Sequence, residues 1–387
     1  MTLQNLVYIV DSIPDKNYVE RFHIKYFQNK GVNVDVAYVA SLTRPKYYKK
    51  INLKKVVKFH DLNTKLKIIN FIRKKIDRKS VVISNLFYNK KNVFIFNEIK
   101  KLNIKIGIIS TEYTLQKKTT KFRILKILLF NPFTFLKLLI QKILYIKRSD
   151  LNFDFVFSAG SISEKSYKKN FSSKIFRIHH HDYDYFKKKK SFKAIKNYGV
   201  FLSPATENPD TFDNNPGERK GNILNFKNEE YFKNIKKFLT QLEKITQLKI
   251  IVAQHPKDQH DLEKIIGFKC IKGKSVELVK SSKFIFCFDS TSFQFGVMAK
   301  KPMFFLSSRN LPQIVHNSII DRCNYFNKAP VYIEDELKKN FLKDNLKFSK
   351  IKYDKYFREY ISNTNRKMYK FESSEIIYKI LKRKIFN

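Results

Sequence analysis

The chain has 387 residues, 43% of them hydrophobic, and carries 78 Lys and Arg against 34 Asp and Glu, a formal charge of +44. That length is large for one hydrophobic core and suits two domains of roughly 150–200 residues, which the apolar fraction is sufficient to build. Three sources of the charge compete: a nucleic-acid partner, an anionic membrane surface, and a compositional bias toward Lys, Asn, Ile and Phe. The lysines run along the whole chain with no basic tail or Arg-Gly repeat, and Lys outnumbers Arg, the better base reader, which argues against a specific nucleic-acid partner.

In chain order, the first half alternates short β-branched or aromatic runs with charged segments of helical length. Strands are predicted over 6–10 (LVYIV), 34–40 (VDVAYVA), 80–87 (SVVISNLF), 104–110 (IKIGIIS) and 153–160 (FDFVFSAG), with a helix over 90–101. Such alternation predicts parallel sheets with right-handed crossovers. The N-terminus lacks a basic start and meets Asp11 after a short apolar run, so it reads as a first strand and not a signal peptide.

Residues 120–150 break this rhythm. The segment is too punctuated by Lys, Asn and Pro to span a bilayer, and Asn131-Pro132 reads as the start of a second helix. That helix has a broad apolar face including Leu136 and Ile140, with Lys137, Lys142 and Arg148 on the other side. It is either a core helix or an interfacial helix on an anionic inner-membrane leaflet.

After the basic stretch FKKKKSFKAIKN the pattern restarts with a strand over 198–205, and the domain boundary belongs near residues 187–197. A polar loop rich in Pro, Gly and Asn follows. Then come a helix over 229–246, a strand over 248–256, a short strand over 268–273, a helix over 275–282 and a strand over 284–288. The tail over 352–386 reads as helical and able to cover both halves. The division expected is 1–190, 191–350 and 351–387. The three cysteines, Cys270, Cys287 and Cys323, have no metal-ligand spacing, and Cys270 and Cys287 lie in apolar runs; this suits a reducing cytoplasm.

In an open parallel sheet, ligands bind beyond the carboxyl ends of the strands. Two such ends are chemically unusual: Gln254-His255-Pro256-Lys257 and Asp289-Ser290-Thr291-Ser292. A phosphate at a helix start needs free backbone N–H groups, small side chains and hydroxyl donors. The Ser-Thr-Ser triplet supplies the hydroxyls, while His255 and Lys257 add a donor and positive charge. Ser or Thr before a helix is also an ordinary cap, and His-Pro an ordinary strand end. Between them, Lys274-Ser275 opens a helix that Ser275 is expected to cap.

The stretch 250–306 resembles the C-terminal domain of bacterial surface-carbohydrate glycosyltransferases of GT-B fold. It is especially similar to those with a His-Pro and a downstream Ser/Thr motif, the sialyltransferases and related nonulosonic or Kdo-type transferases. The resemblance covers roughly residues 150–310. It implies an α/β, GT-B-like architecture of two Rossmann-like domains with parallel sheets facing a central cleft. It also implies that His255, Ser290, Thr291 and Ser292 bind the CMP part of the donor, with Pro256, Lys257, Lys274, Ser275 and Asp289 lining the same neighbourhood. The expected partners are a nucleotide-sugar donor, a glycan or lipid-linked acceptor and the anionic inner-membrane surface, with the enzyme cytoplasmic and peripheral.

Inverting transfer needs a carboxylate base at the acceptor hydroxyl. Asp11 and Glu112 stand at strand ends of the first domain, although either residue type also serves as a helix cap or surface group. The sialyltransferase Asp/Glu-Asp/Glu-Gly motif is missing, which leaves the base and the stereochemistry open. In RIHHHDYDYF, strand alternation would keep the imidazoles of His179, His180 and His181 from converging, so Asp182, Asp184 and these histidines read as a cleft wall. No Asp-X-Asp motif stands in a strand-end setting, and no metal or other cofactor is expected. The alternatives are a UDP-sugar transferase or hexosamine 2-epimerase on the same scaffold, and a basic nucleic-acid- or membrane-binding protein.

Overall fold

The computed structural model describes residues 3–11, 19, 20, 22–43, 45, 57–86, 91–110, 136, 153–170, 173–204, 229–256, 258, 260–338, 340–363 and 365–385. Of these, residues up to His181 and from Arg358 onward form one compact unit, and Asp182–Phe357 form a second. Glu112, Lys257 and, but for Leu136, the segment 120–150 lie outside the described residues.

The first unit contains β1 (Asn5–Val10), α1 (Ile24–Asn29), β2 (Asn33–Tyr38), α2 (Ala40–Thr43), β3 (Lys58–Asp61), α3 (Lys65–Lys75), β4 (Ser80–Ser84), α4 (Val93–Lys101), β5 (Ile106–Ser110), β6 (Phe155–Ala159), α5 (Gly160–Asn170) and β7 (Lys174–Ile178). Helix α6 (His181–Lys188) leads into the second unit. There follow β8 (Tyr198–Leu202), α7 (Glu229–Thr246), β9 (Lys249–Gln254), α8 (Leu262–Ile266), β10 (Cys270–Lys272), α9 (Ser275–Ser281), β11 (Phe284–Cys287), α10 (Phe293–Ala299), β12 (Met303–Ser307), α11 (Gln313–Phe326), β13 (Val331–Tyr332), α12 (Phe341–Asn345) and α13 (Lys350–Tyr356). The chain re-enters the first unit within a π-helical turn, Phe357–Ile361, and ends its described part with α14 (Ser373–Ile380) and a turn over Leu381–Ile385.

In the first unit the strands form a parallel sheet in the order β3-β2-β1-β4-β5-β6-β7. The period-two geometry of a strand sends alternate residues of β1 to opposite faces. Leu6, Tyr8 and Val10 enter one core with Ile24 and Phe27 of α1. Val7 and Ile9 enter the other with Ile68, Phe71 and Ile72 of α3 and Ile95, Phe96 and Ile99 of α4. A sheet buried on both faces needs near-continuous apolar runs, which is how these strands read. The first core is completed by Ile376, Ile377 and Leu381 from the far end of the chain. Gly160, at φ +73°, turns β6 into α5, and a Cβ there would lie 2.1 Å from the Glu359 carbonyl oxygen, so the returning chain fits only over a glycine.

The second unit has a parallel sheet in the order β10-β9-β8-β11-β12-β13. Phe201, Phe286 and Phe304 occupy directly opposed positions on β8, β11 and β12. Their rings stack across the strands at 5.3 and 5.0 Å between centroids. Phe238 of α7 and Phe341 of α12 close this face. On the other face α10 lies hard against β11: a Cβ on Gly296 would come within 2.2 Å of Ile285 Cδ1. Among the described residues no helix is long and apolar enough to cross a membrane.

Candidate functional site

Each sheet is built outward in two directions, and the reversal leaves a crevice at the carboxyl ends of its two central strands, the usual ligand position in open α/β folds. In the first sheet the reversal falls between β1 and β4; in the second it falls between β8 and β11. Asp11 directly follows β1 and is 7% exposed, so the structure places it at the first reversal. The hinge Asp289–Ser292 begins one residue beyond β11, after Phe288, placing it at the second. His255 follows β9, the neighbour of β8, and Lys274 and Ser275 follow β10 at the sheet edge. Because every strand of the second sheet is parallel, the hinge, His255, Lys274 and Ser275 share one edge of that sheet. His255 and the hinge are two strand spacings apart, about 10 Å.

The His255 loop is held by a buried charge. Asp258 is fully buried, and its carboxylate accepts the His260 backbone N–H at 3.1 Å and lies 3.2 Å from His260 Nδ1. The Asp258 N–H donates to the His255 carbonyl at 3.0 Å, and Lys272 Nζ donates to the Asp258 carbonyl. Gln254 Nε2 donates to the His260 carbonyl at 2.7 Å. His255, half-buried, is thereby carried on a turn fixed from both sides, with Pro256 exposed beside it.

At the β11–α10 hinge, N–H groups from Ser292 onward are engaged within the turn. Ser292 N–H donates to Ser290 Oγ at 3.2 Å, Gln294 N–H to the Thr291 carbonyl at 3.2 Å and Phe295 N–H to the Ser292 carbonyl at 3.0 Å. Ser292 occupies the cap position without a side-chain cap bond. A tight turn engages these three groups, and what faces outward is the exposed Thr291 and the half-buried Ser292. Asp289 is engaged from below. Arg322 of α11, 4% exposed, pairs with Asp289, donates to the Ser290 carbonyl at 3.1 Å and lies 4.9 Å over the Phe293 ring. Ser318, one turn earlier on α11, donates to Asp289 Oδ1 at 2.9 Å.

Two further expectations change. Ser275 does not cap α9; the cap position is Lys274, without a side-chain cap bond, and its ammonium lies 5.8 Å over the Phe192 ring. The histidine run is not a strand: β7 stops at Ile178 and α6 starts at His181. Strand alternation therefore does not separate the side chains, and His180, His181 and Asp182 place one ligand atom each within 4.8 Å of one another. Asp182 and Asp184 stand in the first turn of α6, where a helix favours acids.

Sequence reasoning missed Arg322 and Ser318, which are 33 and 29 residues from Asp289. It also missed the carboxyl end of β12, where Ser307 Oγ lies 3.0 Å from His316 Nδ1 and Ser308 donates to Glu334. The polar Ser307-Ser308-Arg309 following an apolar run is the same signal that marked β9 and β11.

No protein-family model matches the chain, and no curated protein matches it. Among solved structures, the H444N variant of the wall teichoic acid polymerase TagF matches with a TM-score of 0.52 at 14% identity, over 100% of this chain and 90% of that one. Its H548A form matches with a TM-score of 0.51 at 13% identity, over 98% and 89%. A putative UDP-N-acetylglucosamine 2-epimerase from Listeria monocytogenes matches with a TM-score of 0.51 at 10% identity, over 99% and 96%. Identities this low establish shared architecture alone. With its two parallel α/β units, each reversing strand order at its centre, the chain has a GT-B-like fold.

Proposed function

We propose that the chain is a glycosyltransferase. It moves a nonulosonic-type sugar (sialic, pseudaminic, legionaminic or Kdo-like) from a CMP-activated donor to a nascent bacterial surface glycan. The reading rests on one observation: His255 and the Thr291-Ser292 hydroxyls stand on the same carboxyl edge of the second sheet, the latter at its reversal point. In this reading the His255 imidazole and the hydroxyls donate to the phosphate of CMP, with Pro256, Lys257, Lys274 and Ser275 along the nucleoside. Donors set before the reaction stabilise the charge that grows on the phosphate as the glycosidic C–O bond breaks. A carboxylate, Asp11 or Glu112, takes the proton of the acceptor hydroxyl as that oxygen bonds to the anomeric carbon. The transfer is proposed to need no metal, and the enzyme to sit peripherally on the anionic inner membrane through residues 120–150.

A UDP-sugar donor is the second reading, favoured by the fold likeness to a protein described as a UDP-N-acetylglucosamine 2-epimerase. Thermal melting with CMP, UMP, UDP and duplex DNA separates these. CMP is expected to raise the melting temperature most, and His255→Ala to remove most of that shift. Losing one charge-assisted bond to phosphate costs about 1.5–3 kcal/mol. A larger shift with UDP would overturn the donor assignment, and a response to DNA alone would overturn the enzyme.

A further inference from the structure

The amino-terminal edge of the second sheet carries a cavity of about 430 Å³ that the proposed transfer does not use. Four lysines line it, with Phe192 and Ile195 as its apolar wall. Lys193 and Lys196 come from the connection into β8, Lys283 directly precedes β11, and Lys301 lies two residues before β12. The three segments are far apart in sequence, and a parallel sheet brings them together because all its strands begin on the same edge.

Among the described residues none of the four ammonium groups has an ion-pair partner, and no acidic side chain lines the cavity. Lys301 is half-buried; burial and then the Lys283 charge hold its ammonium below the usual lysine range. The lysine backbones are fixed. Lys301 N–H donates to the Gly296 carbonyl at 2.9 Å, its carbonyl accepts from Tyr353 Oη at 2.8 Å, and Lys283 N–H donates to the Tyr198 carbonyl at 2.8 Å. The segment carrying Lys193 is tied to α9, where Phe192 N–H donates to the Glu277 carbonyl at 3.1 Å and Lys280 Nζ to the Lys189 carbonyl at 2.5 Å. A concave group of like charges on an anchored backbone, three exposed and one partly dehydrated, is opposed by its own repulsion and relieved by an anion of matching charge.

We propose that this cavity binds a phosphate-bearing anion of two or more charges, from a soluble phosphorylated compound or an anionic lipid headgroup. Lysine acts toward phosphate as a point charge without the planar geometry that arginine imposes. The apolar wall favours a ligand whose phosphate is joined to a hydrophobic part.

The test measures binding of inorganic pyrophosphate, and of phosphatidylcholine vesicles with and without phosphatidylglycerol, to the full chain. Lys283→Ala with Lys301→Met removes two cavity charges. Lys233→Ala with Lys237→Ala, on the exposed side of α7, removes two elsewhere. The cavity variant is expected to weaken binding of at least one probe about tenfold or more, with the control near wild type. Its melting temperature without ligand is expected to be no lower than wild type, since a repulsion is removed. Lys193→Ala with Lys196→Ala, on the exposed rim, gives the same binding readout should the first variant fold poorly. Loss for pyrophosphate alone assigns a soluble ligand, and loss for anionic vesicles alone assigns the headgroup. Equal weakening in cavity and control variants, or no weakening in either, overturns the proposal. So does a pyrophosphate response that His255→Ala abolishes and the cavity variant keeps.

Discussion

Arg322 illustrates how one side chain can hold a candidate site without reaching it. Its guanidinium is almost fully buried under the hinge, and its three contacts, to Asp289, the Ser290 carbonyl and the Phe293 ring, all lie on the segment that presents Thr291 and Ser292. Removing one member of a buried pair leaves the other charge uncompensated, so Arg322→Ala is expected to cost about 3 kcal/mol in denaturant unfolding. Arg322→Lys keeps the charge but loses the fork to two acceptors, and is expected to weaken CMP binding more than it lowers stability. Unchanged unfolding in Arg322→Ala would mean that the hinge stands without it. Glu164 gives a pH-dependent counterpart. Burial raises its carboxyl pKa, but Arg177 and Lys168, at 2.5 and 2.8 Å, outweigh that and hold it below the ordinary value. A depressed folded pKa stabilises above the unfolded pKa, and the gain is lost as pH falls through the folded value. Glu164→Gln should therefore cost about 1 kcal/mol near neutrality, allowing for solvent screening, with the gap to wild type closing as pH falls below about 4. A gap independent of pH would show that the carboxylate's charge is not what stabilises.

At the scale of elements, α10 packs tightly on β11 in the second unit. Gly296 has no strained φ, so its requirement is space: an added methyl meets Ile285 Cδ1 at 2.2 Å and Cγ1 at 3.0 Å. Gly296→Ala is expected to destabilise by about 1–3 kcal/mol through overpacking. Ile285→Val removes the Cδ1 atom and should recover part of that in a double-mutant cycle. Because α10 carries Ser292 at its start, the single variant should also weaken nucleotide binding. Full additivity of the two changes would mean that the helix shifts as a body to accept the methyl. In the first unit the element-level question is the base. Asp11→Asn and Glu112→Gln, compared side by side, should separate turnover from affinity: the true base loses turnover while CMP affinity is nearly kept. Wild-type turnover in both would remove both candidates.

At the scale of the molecule, the chain end is part of the beginning's core. Ile376, Ile377 and Leu381 are almost fully buried against β1, β2 and α1 residues, and His179, buried after β7, accepts the Asn363 N–H through Nδ1 at 3.1 Å. Burying each aliphatic side chain contributes about 1.5–3 kcal/mol, so deletion from residue 373 onward forfeits on the order of 5–9 kcal/mol. That is comparable to the whole stability of an ordinary domain, about 5–15 kcal/mol. Calorimetry of the deleted chain should show the first unit's transition lost or strongly lowered and the second unit's retained. An unaltered first transition would show that α14 is an accessory. The +44 charge acts at the same scale: attachment to anionic vesicles should weaken with salt as screening shortens its reach.

The layer class was legible from local pattern alone. β1, β4 and β6 read as apolar runs because both faces of a parallel sheet are covered, and helix α7 appears at its predicted bounds because its apolar face recurs at the helical period. That pattern also located His255, Asp289–Ser292 and Asp11 at strand ends, since a strand must stop where small polar residues replace the apolar run. Two short edge strands, β3 (KFHD) and β13 (VY), were not legible, since they carry too few apolar residues to show a period. Which strand ends are neighbours, by contrast, emerges only in the packed fold. Strand order, set by crossovers and not by local pattern, puts β11 beside β8, and so puts the hydroxyl hinge at the reversal. The same order sets Arg322 under Asp289 and gathers the four cavity lysines from three separate connections. Such pairings join residues tens of positions apart, where neither helical nor strand periodicity reaches, and packing alone specifies them.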